Sequence, residues 1–243
     1  MRKLVYIILI ALLSGINVLF AQTNKQASKA YSLIFQTSVD SLPFAFDSTY
    51  QNHSGETFKV RRFAYYISHI RFVYEDGKTV SLHQSPHLVN EADSNSQQLQ
   101  ISAPKGNITS VQFLLGIDSA TNVSGVQSGD LDPTKGMFWI WNTGYIMAKL
   151  EGSSTASKAP GKQYSYDIGG YKPGENVSRE INLPLSSITN YQPSTFIITA
   201  DINKWFSGKN EIKISEQPMC HSPGKLAVQV ADNYATMFTI RAQ

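Results

Sequence analysis

After residue 30, apolar and polar positions alternate along most of the chain in short runs separated by turn-forming residues. YSLIFQTSV begins at Tyr31, ETFKVRRFAYYISHIRFVYEDGKTVSLH spans 56–83, and ITSVQFLLGID begins at Ile108. MFWIWNTGYIMAKLEG follows at 137–152, and QYSYDIGGY, EINLPL, STFIITADI, EIKIS and MFTIRAQ complete the series. Period-two alternation in runs rich in β-branched and aromatic residues predicts strands. The pair Asp76-Gly77 inside EDGK predicts a tight hairpin, with Val73 and Val80 flanking it. Helical periodicity is scarce, and INKWFSG at 202–208 is the one short candidate. The expected fold is therefore all-β, an antiparallel β-sandwich in a single domain. The polar stretches 84–98 and 152–163 read as mobile loops.

The first 21 residues depart from this pattern. Arg2 and Lys3 precede an apolar run, Leu4–Leu13, and the small residue Ala21 stands before Gln22. This is the layout of a secretory signal peptide cleaved after Ala21; a retained anchor is the alternative, although Ser14, Gly15 and Asn17 interrupt the run. The organisation expected is a signal peptide over 1–21, a polar linker over 22–30 and one domain over 31–243. The mature protein would be secreted or periplasmic, with no transmembrane segment after cleavage.

Without Arg2 and Lys3, 19 basic residues face 18 acidic ones, a near-neutral balance that points to no nucleic-acid or anionic-membrane partner. Cys220 is the single cysteine, so no disulfide can form within the chain and stability must come from packing. No nucleophile-and-base pair and no G-x-S-x-G, H-E-x-x-H or Walker-type motif occurs, so the chain is not expected to be an enzyme.

Three groups of residues carry candidate chemistry. Residues two apart on a strand share a face, so Met137, Trp139 and Trp141 would line one side and Phe138 and Ile140 the other. With both sides apolar, this strand is expected to be central and buried, the tryptophans serving either as core pillars or as redox-active or ligand-stacking indoles. Asp118, Asn122, Asp130 and Asp132 cluster before it; they could supply oxygens to calcium if their loops converge, or act as ordinary turn formers. Met219, Cys220 and His221 in PMCHSP are donors suited to copper, the sulfurs favouring the cuprous ion. In an extended segment Met219 and His221 would point one way and Cys220 the other. The four other histidines, His53, His69, His83 and His87, read as surface residues.

Several irregular stretches then occur in a familiar order. The run 116–152, GIDSATNVSGVQSGDLDPTKGMFWIWNTGYIMAKLEG, resembles the hallmark region of the MbnP-like family, copper-binding proteins associated with methanobactin operons and their bacterial relatives. FAYYISHIRF at 63–72 looks like an early strand of that family, YDIGGY at 166–171 like its His-Ile-Gly-Gly segment, and CHSPG with VADNYATMF like its C-terminal end. The resemblance covers nearly the whole mature chain. It implies a secreted β-sandwich, a copper site that uses histidines, and a tryptophan oxidised to kynurenine by a di-haem, peroxidase-like partner. Trp139 and Trp141 become the candidate oxidised residues. Asp167 stands where the family has a histidine, so the copper candidates that remain are His221, Met219 and, with a harder ligand, Asp167. The competing reading is a calcium- or oxygen-ligand-stabilised β-sandwich that binds a protein or glycan partner.

Overall fold

The computed structural model describes residues 27–142, 144–185 and 193–243. The signal-peptide reading and the cleavage point lie outside the described residues. Nine strands frame the two sheets: β1 (Ser28–Val39), β2 (Thr57–Tyr74), β3 (Gln98–Pro104), β4 (Ile108–Leu115), β5 (Ala148–Ser153), β6 (Gln163–Ile168), β7 (Arg179–Pro184), β8 (Thr195–Asp201) and β9 (Phe238–Ala242). In the smaller sheet the order β9-β8-β1 continues to β3 and the short strand Leu42–Pro43. The larger sheet runs β7-β4-β2-β5-β6 and ends on Met219–Cys220, while Tyr50–Gln51, Thr79–His83 and His87–Asn90 also pair with β2.

The two sheets meet through aromatic rings. Tyr31 of β1 packs edge-on against Phe72 of β2 at 5.3 Å between centroids, and Phe72 against Phe196 of β8 at 5.5 Å. Phe238 of β9 contacts Tyr65 of β2 and Phe113 of β4 in the same manner. Such edge-to-face pairs add to the area burial that drives the packing. The all-β expectation holds. Most ladders are antiparallel, but β1 pairs with β8 in parallel, Ser32 opposite Thr195 through Ser38 opposite Asp201, and β6 pairs with Met219–Cys220 in parallel. Parallel partners need long crossovers, which strand alternation alone does not reveal.

β2 organises the larger sheet because it is buried on both faces from Phe63 to Ser68. Its outward face is covered by the segment 116–147: the Tyr66 hydroxyl donates to the Asp130 carbonyl at 2.9 Å, and Ser68 Oγ to the Gly116 carbonyl at 2.9 Å. The Asp-Gly hairpin forms as expected, with Gly77 at φ 80° and Phe72 paired with Val80.

Four expectations are corrected. The 22–30 linker is too long, because Ser28–Ala30 already belong to β1 and pair with Ser102–Pro104. The stretch 84–98 is built, since His87–Asn90 joins the sheet and Ser96 Oγ bonds the backbone of Asn90 and Asp93. In 152–163, Ser154 and Ser157 are buried and donate to the carbonyls of Thr57 and Gln163. Polar side chains there satisfy backbone rather than water. Finally, a helix, Lys225–Tyr234, buries Ala227, Val230, Ala231 and Tyr234 at helical spacing, whereas INKW forms only a 3-10 turn, Ile202–Trp205. The helix carries few large apolar residues, so its stripe is faint in sequence; Tyr234 supplies the anchor, its ring tilted against Trp205 at 5.0 Å between centroids and its hydroxyl donating to the Val177 carbonyl.

Gly152 marks a bulge where β5 shifts register against β2. A Cβ there would collide with the Lys59 carbonyl and come within 2.7 Å of the Tyr164 hydroxyl. Gly152→Ala is expected to destabilise the fold by about 2 kcal/mol or more, because backbone cannot yield as a flexible side chain can. Urea denaturation of the two proteins measures the difference.

Candidate functional site: the tryptophan pocket

The tryptophans sit on a two-rung ribbon in which Phe138–Trp139 pairs with Gly144–Tyr145. The expectation of one central, buried strand is corrected here. Pairing stops at Trp139, and the chain turns through Ile140, Trp141 and Asn142. Trp139 is 5% exposed, whereas Trp141 is 65% and Ile140 86% exposed. The two indoles nevertheless stay together, with centroids 5.5 Å apart and planes inclined by 37°. The turn residues protrude beyond the last rung, where no strand of the described residues covers them.

Trp139 is held by backbone. A Cβ on Gly169 would stand 2.7 Å from the indole ring and 2.7 Å from the Tyr145 carbonyl oxygen, so only glycine admits the ring at this depth. Gly170, at φ 139°, lies against the Glu175 carbonyl and Pro223. The Tyr145 amide donates to Asn122 Oδ1 at 2.9 Å, and the Ile146 amide to the Met137 carbonyl at 2.9 Å. Trp139 and Tyr145, Gly170 to Lys172 with Glu175, and Pro223, far apart in sequence, thus surround one pocket of about 260 Å³ with Asn122 in its wall. The Trp139 Nε1 is buried with no acceptor among the described residues.

The copper candidates occupy the edge of the larger sheet. Met219 and His221 are exposed and Cys220 is buried between them, the alternation expected of an extended segment. Burial, and then the charge of Asp167, push the Cys220 thiol up to about 11, so it stays protonated near neutrality and is a poor ligand. Asp167 is corrected as a copper candidate: it faces Lys149, its direct cross-strand neighbour, at 2.9 Å, and Lys149 is only 6% exposed and also 3.3 Å from Glu151. A buried ammonium occupies the place beside that carboxylate where a cation would bind. Among the described residues, no three His, Cys, Asp or Glu side chains come together to hold a metal. The donor chemistry fits a two-donor Cu(I) site at Met219 and His221 and does not fit a closed one.

The four oxygen candidates do not converge. Asp118 caps the short helix Ser119–Val123 through the Thr121 amide and hydroxyl. Asn122 is 2% exposed and serves Tyr145. Asp130 accepts from Lys135 Nζ at 2.8 Å and the Leu88 amide at 3.2 Å and lies 3.0 Å from His87 Nδ1, while Asp132 caps a 3-10 turn through Thr134. Turn and cap chemistry consumes these oxygens.

His53 stays at the surface, 3.8 Å from Asp40, whereas two other histidines read as surface residues are partly buried carboxylate partners. His87 lies between Asp130 and the Ser96 carbonyl, and His69 Nε2 is 3.1 Å from Asp118 Oδ2. Sequence separations of 43 and 49 residues hide both pairs. Burial disfavours the charged form of His69, but hydrogen bonds to Gln84 and Asp118 outweigh it and raise the imidazole above its ordinary value. Burial likewise opposes ionisation of Asp118, yet bonds from Thr121 and His69 bring it down to about 2. For Asp130 the bond from His87 dominates and holds the carboxyl well below the usual range.

A family model of MbnP matches residues 28–222. The chain belongs to the MbnP family. Its fold matches a solved structure, MbnP from Methylosinus trichosporium, with a TM-score of 0.58 at 13% identity, covering 89% of this chain and 99% of that one. A search of curated proteins finds no match. The MbnP match ends at Ser222, just before the helix Lys225–Tyr234 and β9, which complete the core here.

Acrylamide is expected to quench one class of tryptophan, since Trp139 and Trp205 are buried and Trp141 is not. Trp141→Phe should abolish that accessible emission, as Stern–Volmer plots of the two proteins will read out.

The His69–Asp118 pair gives a pH signature. The lowered Asp118 value contributes stability above the ordinary carboxylate range that is lost as pH falls toward about 2. The raised His69 value contributes fully below about 6.5 and is lost as pH rises through its folded value. His69→Gln should therefore destabilise most between about pH 4.5 and 6, and the gap from wild type should narrow by about pH 9. Thermal melts across this range test it.

Proposed function

We propose that this MbnP protein is an exported copper-handling protein and not an enzyme. Met219 and His221 are its Cu(I) donors, and the Trp139–Trp141 pair is its redox element. The observation that carries the redox reading is the paired indoles: one is locked against Gly169, the other stands in solvent at ring contact with it. A di-haem, peroxidase-like partner that takes an electron from Trp141 would have a short route to Trp139. Family membership supports copper as the metal, and the exposed thioether and imidazole on one side of residues 219–221 supply soft and borderline donors. Copper, when bound, would add a one-electron couple; the chain's part is to present the two donors and to keep Cys220 inward. Export is supported by the basic, apolar and small-residue order of the first 21 residues.

The alternative, a protein or glycan binder, is favoured by the exposure of Ile140 and Trp141 on one turn. It does not keep its calcium cage, because each of the four oxygens has its own partner.

Competition against a chromogenic Cu(I) chelator tests the copper reading. One equivalent should bind to the mature protein, and His221→Ala or Met219→Leu should each weaken it by about tenfold or more. Asp167→Asn should leave the affinity close to wild type. No binding by the wild-type protein, or equal binding by both donor variants, would overturn the proposal and leave partner binding through Trp141 as the reading to pursue.

A further inference from the structure

The pocket beside Trp139 has features that copper handling does not use. Its volume of about 260 Å³ lies below the ~300 Å³ at which drug-sized ligands begin to fit, so its occupant has few heavy atoms. Asn122 forms part of the wall and is 2% exposed. Its Oδ1 accepts from the Tyr145 amide, which fixes the orientation of the side chain, and its Nδ2 donates to no described residue. With its oxygen taken by backbone, the amide has its donor side left for an acceptor on a ligand in the pocket.

Lys172 and Glu175 also line the pocket. The Glu175 amide donates to the Lys172 carbonyl at 2.9 Å and the Val177 amide to the Gly170 carbonyl at 3.2 Å, so both side chains spring from one closed turn. Yet the two charges form no ion pair with each other, and neither forms one with any other described residue. A simple anion drawn to Lys172 would meet the Glu175 carboxylate, and a simple cation drawn to Glu175 would meet the Lys172 ammonium. A ligand with both charges satisfies both.

We propose that this pocket binds a small polar zwitterion of amino-acid size, its carboxylate held by Lys172 and the Asn122 amide and its ammonium by Glu175. The mostly polar lining leaves little room for an apolar side chain on that ligand. The site rests on residues separate from Met219 and His221, so its success or failure is independent of copper binding.

Isothermal titration of the mature protein with glycine, L-serine and L-glutamine tests the inference, with propionate and ethanolamine as carriers of a single charge. At least one amino acid should saturate at one equivalent, and the single-charge compounds should bind about tenfold more weakly or worse. Lys172→Gln and Glu175→Gln, both at the mouth of the pocket, should each weaken the amino acid by about tenfold with unchanged melting temperature, whereas Lys78→Gln, in a different surface pocket, should not. Absence of saturable binding by all three amino acids would overturn the proposal. So would propionate or ethanolamine binding as tightly as the amino acid, or wild-type affinity in both pocket variants.

Discussion

Tyr66 is wholly buried on the side of β2 that faces away from the smaller sheet, and its hydroxyl donates to the Asp130 carbonyl. A sheet strand with one buried face needs one covering layer; β2, buried on both faces through Phe63–Ser68, needs two. The smaller sheet supplies the first through Tyr31, Phe196 and Phe238. The irregular segment 116–147 supplies the second. That segment cannot leave without exposing Tyr66, Met137 and Tyr145, so its loops are anchored even though they contain little regular structure.

The anchoring reaches the tryptophans. Met137 and Tyr145 are fixed under the covering segment, the ribbon Phe138–Trp139 and Gly144–Tyr145 grows from them, and Trp139 swings onto the bare backbone of Gly169. Beyond the last rung Ile140 and Trp141 stay largely in solvent, Trp141 touching the Trp139 ring on one side. A buried indole and an exposed one at 5.5 Å are thus a consequence of where the ribbon ends. The same packing brings Pro223 and the turn at 170–177 to the far side of the pocket.

Electrostatics separates the two halves of this end of the molecule. At the sheet edge Lys149 sits buried between Asp167 and Glu151, and a desolvated ammonium there repels any second cation from Asp167. The thioether and imidazole of Met219 and His221 lie outside this buried charge cluster, on exposed residues. Around the pocket the reverse holds: Lys172 and Glu175 form no ion pair among the described residues. The Asp118 and Asp130 carboxylates are occupied by His69 and His87, and serve to tie the covering segment to β2 and its neighbours.

The sequence by itself determined the strand content, the hairpin at Asp76-Gly77, the outward alternation of Met219 and His221 around Cys220, and the family, because these depend on local periodicity, turn chemistry and irregular motifs in order. Tertiary structure alone decided the parallel pairing of β1 with β8, the helix Lys225–Tyr234, the exposure of Trp141, and the partners of Asp167, Asp118 and Asp130. Each of those turns on a contact between residues distant in the chain or on the point where pairing ends. Whether Trp141 is buried is set by the presence of a covering strand, and whether Asp167 is free is set by which side chain lies opposite it. A lysine opposite an aspartate is fixed by register, and register is a property of the folded sheet.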